Sequence, residues 1–179
     1  MSPPTGSVDL RSQAGFKQMY RDHLGFVYSV LQRLGAPGPQ LEDLCHDVFM
    51  TAFRKREDYD PARPLKPWLF GLAFRLMLNV KRKANVSGDD AALSTIEGSG
   101  GNPELAYQHQ QARTELTRAV EGLEPDRRAV FVLHDLEGQA APEIARALEI
   151  PLNTAYSRLR LARADILQAT QRLRAGDTP

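Results

Sequence analysis

The stretch from Ala140 to Arg163 constrains the fold more than any other part of this chain. In its first half, Ile144, Ala145 and Leu148 fall on one face at helical spacing. Pro142 suits the first turn of that helix, where its missing N–H has no partner to lose. Glu149-Ile150-Pro151 then breaks the pattern. After the break, Ala155, Leu159, Ala162 and Ile166 recur at spacings of four, three and four, and Asn153 or Thr154 can cap the second helix. Two helices with a tight turn between them form a helix-turn-helix, which lays its second helix in a DNA major groove. Glu149 stands where glycine is often found, at a cost of about 1 kcal/mol if that residue is left-handed.

Once the apolar stripe is buried, Tyr156, Ser157, Arg160 and Arg163 lie on the other side of the second helix, flanked by Thr154 and Arg158. That mix suits base edges and phosphates.

Composition supports a helical frame for this element. Of the 179 residues, 42% are hydrophobic and only 7% aromatic, which favours small cores of Leu, Ala and Val on helices over a large sheet. The expected fold class is all-α, as two small helical domains. A single cysteine, Cys45, excludes an intramolecular disulfide framework and agrees with a reducing compartment. No apolar run reaches the roughly 18 residues of a membrane span, and the polar stretch from Met1 to Gly15 lacks a signal core. A cytoplasmic protein without membrane insertion is expected.

The formal net charge of +1 conceals a segregation. Arg54 to Lys83 carries nine Lys and Arg against three acids, and Ala140 to Arg174 carries six Arg against three acids. Two separate basic surfaces result.

Helical spacing predicts helices over Phe16–Leu34, Leu41–Arg56 and Pro67–Lys83, with a proline-marked loop at Tyr59–Leu65. Pro103–Glu121 and Pro125–Leu136 read as helices opened by proline and leading into the helix-turn-helix. Between the two sets, Ser87–Gly101 has four glycines and three acids without one Lys or Arg, and reads as a flexible linker. The expected division is a first domain over 14–86, a linker over 87–102 and a second domain over 103–174. Frayed tails precede Gln13 and follow Arg174.

In this order the elements resemble the extracytoplasmic-function sigma factors of the sigma-70 family, the small bacterial initiation factors that keep two of the family's domains. Leu41-Glu42-Asp43-Leu44-Cys45-His46-Asp47-Val48-Phe49-Met50-Thr51-Ala52-Phe53-Arg54 looks like the family's polymerase-docking helix. Pro67-Trp68-Leu69-Phe70-Gly71-Leu72-Ala73 resembles the motif on the helix after its promoter-melting loop. Leu123 to Phe131 and Asp135-Leu136-Glu137-Gly138 match the run into its promoter-binding helix-turn-helix.

The resemblance implies that the first domain clamps to RNA polymerase core through Asp43, Asp47, Phe49 and Phe53. It implies that the −10 element is opened and held by Asp60, Arg63, Lys66, Trp68, Arg75, Asn79, Lys81 and Arg82. It further implies that the −35 element meets Thr154, Tyr156, Ser157, Arg158, Arg160 and Arg163, and that an anti-sigma factor controls the protein. The physics of the residues agrees: a loop flanked by Lys and Arg beside an aromatic-bearing helix holds single-stranded backbone and gives flipped bases an apolar pocket. The chain departs from the family at Arg75, where many relatives carry Asn, at Asn79, often Asp, and at Leu161, frequently basic. These departures bear on which promoter is chosen.

Several residues also have plainer readings. Trp68 reads first as core, with base contact as the alternative. Phe49 and Phe53, four apart, are core or partner-facing, and spacing does not separate the two. Asp43 and Asp47 share a face but lack a third metal ligand of matching spacing, so docking onto basic residues is the better account. Cys45 and His46 point about 100° apart as neighbours on a helix and cannot form a nucleophile–base pair. The four histidines show no paired metal spacing, and no cofactor or enzymatic activity is expected. The rival functions are a sigma-like decoy that binds a regulator and a stand-alone helix-turn-helix repressor.

Overall fold

The computed structural model describes residues 9–87, 112 and 114–175. Among them every regular element is helical, in two compact units. The first unit is built on α1 (Gln13–Arg33), α2 (Leu41–Arg54) and α3 (Leu65–Ser87). The second holds α4 (114–121), α5 (Pro125–Phe131), α6 (Ala141–Leu148) and α7 (Leu152–Ala175). The predicted linker beyond Ser87 and the predicted helix start at Pro103 lie outside the described residues.

In the first unit the apolar stripes of the sequence become the core: Met19, Val27 and Leu31 of α1 are buried, as are Leu41, Leu44 and Val48 of α2. In α3, Leu69, Phe70 and Ala73 are fully buried. The helix starts two residues ahead of Pro67, which therefore lies within its first turn, where a proline breaks no helical hydrogen bond. α2 ends two residues earlier than its periodicity suggests, and Arg56–Asp58 tightens into a 3₁₀ turn.

Of the tail expected to fray before Gln13, residues 9–12 are described, and they form a hook against the start of α1. Leu10 is buried at 3% exposure, and Ser12 caps α1 by accepting a hydrogen bond from the Gly15 N–H at 3.1 Å. The Ser12 hydroxyl in turn donates to the Asp9 carbonyl at 3.0 Å. A Cβ at Gly15 would stand 2.1 Å from that carbonyl oxygen, so only glycine fits beneath the hook.

In the second unit α5 does not run as an α-helix to Leu136. It widens into a π-helical turn over Val132–Leu136, with the Glu137 N–H donating to the Val132 carbonyl at 3.0 Å. Gly138 then takes φ +66°, a left-handed conformation that ends the turn and that glycine adopts without strain. α7 packs its Ala155, Leu159 and Ala162 face against α5 and α6, as the spacing predicts.

Candidate nucleic-acid interface

The helix-turn-helix closes as a Schellman motif. The Ile150 N–H donates to the Ala145 carbonyl at 2.9 Å, and Glu149 is left-handed at φ 57° and ψ 44°. The strain anticipated for a residue other than glycine is thus present. The cap of α7 differs from expectation. The Pro151 carbonyl accepts from the N–H groups of Thr154 at 2.9 Å and Ala155 at 3.1 Å, so the helix opens at Leu152 and neither Asn153 nor Thr154 caps it. Both lie inside the first turn. Pro151 takes the cap because its fixed φ already directs the chain into the helix.

On α7, Tyr156 is 52% exposed, and Ser157 and Arg160 are exposed on the same side. Thr154 is half-buried and its carbonyl accepts from the Ser157 hydroxyl at 2.9 Å. Arg158 and Arg163 are engaged within the protein. A terminal nitrogen of Arg158 donates to Asp126 at 2.5 Å. Arg163 grips Asp135 with Nε at 2.8 Å and a terminal nitrogen at 2.6 Å. The hydrogen bond from Arg163, joined by one that the Asp135 carboxylate accepts from His134 Nδ1 at 2.7 Å, holds the Asp135 carboxyl below the usual carboxylate range against the opposing effect of burial.

In the first unit, α2 exposes Asp43, Asp47 and Met50, which follow one another at four and three residues on one face. The two phenylalanines have different fates. Phe53 is 42% exposed, edge-to-face with Phe16 at 5.1 Å and topped by the Arg56 guanidinium at 4.1 Å from its ring centroid. Phe49 is 3% exposed and packs on Tyr20 at 4.6 Å, so it is a core residue with no surface to offer a partner.

α3 brings Trp68, Arg75, Asn79 and Arg82 onto one stripe by steps of seven, four and three. Lys81 lies away from it, at a half-buried position, and Arg75 is also half-buried. Arg82 donates to the Asn79 side chain at 3.4 Å. Lys66 does not join them; its ammonium sits 5.2 Å from the Phe26 ring centroid.

The preceding loop is shaped by its own hydrogen bonds. The Asp60 carboxylate accepts from the Ala62 N–H at 3.0 Å and pairs with Arg63 at 3.2 Å. The Tyr59 hydroxyl donates to the Arg63 carbonyl at 2.6 Å, while its ring meets half-buried Trp68 at 5.0 Å. Burial, and secondarily Asp60, raise the Tyr59 phenol above its ordinary value, keeping it a donor. Periodicity gave no sign of this aromatic pair, because Tyr59 lies in the loop.

Comparison with known proteins agrees with this layout. Residues 19–86 match the family model for sigma-70 region 2, and residues 113–166 the model for sigma-70 region 4. The chain is 27% identical over 172 residues to the ECF RNA polymerase sigma factor SigE of Mycolicibacterium smegmatis, covering 91% of this chain and 66% of that protein. It is 29% identical over 164 residues to the RNA polymerase sigma factor CnrH of Cupriavidus metallidurans, covering 87% of this chain and 86% of the relative. The fold is shared with the sigma factor RpoE solved with the anti-sigma factor NepR from Bartonella quintana, at TM-score 0.70 and 21% identity over 87% of this chain and 96% of that one. It is shared also with CnrH solved with the cytosolic domain of CnrY, at TM-score 0.64 and 23% identity over 93% and 92%. With both family regions present in order and relatives matched along most of its length, the chain belongs to the sigma-70 family, in its extracytoplasmic-function branch.

Proposed function

We propose that this chain is a sigma factor that binds RNA polymerase core and directs it to a specific class of promoters. The observation that carries this reading is the presence of both sigma regions on one chain, each with an exposed polar face suited to its target. Asp43, Asp47 and Phe53 on α2 dock onto the polymerase. Trp68, Arg75, Asn79 and Arg82 on α3, with Asp60 and Arg63 of the loop before it and Lys66 and Lys81 elsewhere on the same helix, hold the opened −10 strand. Thr154, Tyr156, Ser157 and Arg160 on α7 meet the −35 element. Segment 87–102 joins the two domains.

Catalysis belongs to the polymerase, so this chain contributes binding, strand separation and release. It needs no cofactor for these and works in the cytoplasm, where the polymerase is. Among the described residues no helix is long and apolar enough to cross a membrane. An anti-sigma factor is a partner, a proposal supported by the NepR complex of the RpoE relative.

Run-off transcription with purified core polymerase and a pool of genomic upstream fragments tests the proposal. Discrete transcripts that depend on the protein are expected, and their aligned start regions would give the selected elements. Polymerase binding without transcripts would indicate a decoy, and specific DNA binding without polymerase a repressor.

A further inference from the structure

This inference rests on the reading of α7 as the DNA-facing helix. The arginines of that helix are of two kinds. Arg160 is exposed and has no ion-pair partner among the described residues. Arg158 and Arg163 are each held by an acid on the supporting elements, Asp126 of α5 and Asp135 of the π-helical turn. A third bridge runs the opposite way, from Arg127 of α5 to Asp165 of α7 at 2.7 Å. Together the three tie α7 to α5 and to the π-helical turn that follows it, at positions spread over two turns of α7.

We propose that Arg158 and Arg163 are positioning residues that set the rotation of α7 about its axis, and that the contact with promoter DNA is made by Tyr156, Ser157 and Arg160. The π-helical turn belongs to this device, since it carries the acid that Arg163 grips with two parallel hydrogen bonds. Ion pairs that stay open to solvent add little to stability, and none of these three is fully buried, so their number along one helix is better explained by geometry than by energy. A rotation of roughly 10° about the axis moves a side-chain tip by about 1 Å, enough to spoil a bidentate contact with a base edge.

The alternative role for Arg163 is release from Asp135 to bind a phosphate, and the two roles predict different measurements. The readout is the affinity of the reconstituted holoenzyme for a promoter fragment it transcribes, relative to a scrambled fragment, across a salt series. If Arg163 positions the helix, Asp135→Asn and Arg163→Gln each lower that ratio by about fivefold. Their double variant loses no more than either alone. The salt slope stays at the wild-type value. Arg163→Lys behaves like Arg163→Gln, because an ammonium cannot reproduce the two-pronged grip on Asp135.

A salt slope lowered by about one in Arg163→Gln, restored in Arg163→Lys, would identify a phosphate contact and overturn the inference. An unchanged or higher ratio in Asp135→Asn would overturn it as well. Arg160→Gln tests the underlying reading separately: if neither ratio nor slope changes there, α7 is not the DNA face, and the inference falls with it.

Discussion

Arg128 is the residue whose role is most altered by seeing the fold. It is 5% exposed, and its guanidinium donates to the backbone carbonyls of Glu121 and, at 3.2 Å, Leu123, closing the turn between α4 and α5. Burial lowers its pKa from the ordinary arginine value, although Glu121 works in the opposite sense. Arg128→Met would spare the desolvation of a cation but leave those carbonyls without their donor, so a loss of about 2 kcal/mol is expected, read as a lower midpoint in urea. Asp135 carries a pH dependence. Its folded pKa lies below its unfolded one, so its contribution to stability is present above the unfolded value and lost as pH falls through the folded value. Asp135→Asn removes that contribution, and its thermal midpoint should fall less steeply with acidification than that of the wild type. In sequence, Arg128 is one of two adjacent arginines with nothing to mark it as the buried one. Asp126 and Asp135 lie 32 and 28 residues from their partners, beyond the reach of any periodicity.

At the scale of elements, helices and their inward faces were legible because burial imposes a period on the sequence. Ala155, Leu159 and Ala162 are buried as their spacing indicates, and the break at Glu149 is where the apolar pattern stops. The π-helical turn was not legible, since one extra residue within a helix leaves no period to read. Phe49 and Phe53 show the same limit, as a four-residue step keeps two side chains on one face without saying where along the helix the covering neighbour ends. The local chemistry of turns lends itself to test. Glu149→Gly would relieve the left-handed strain and should raise stability by about 1 kcal/mol, seen as a higher melting temperature with unchanged helicity. A lower melting temperature would mean that interactions of the Glu149 side chain outweigh the strain.

At the scale of the whole chain, each unit has its own core, so a change of an exposed residue on one should leave the packing of the other intact. Charge segregation along the sequence already marked the two basic regions, and the four-residue step from Asp43 to Asp47 already marked the acidic face of α2, on which both are exposed. Asp47→Arg reverses one charge of that face without touching a buried group. If the face meets a basic surface of the polymerase, the reversal sets like charges against each other at a cost of several kcal/mol and should abolish capture of core polymerase. The melting curve of the variant should match the wild type, because the residue it replaces is exposed. Co-purification with tagged core polymerase, run beside a melting curve, separates lost docking from lost folding, and full assembly of the variant would place the docking surface elsewhere on the first unit.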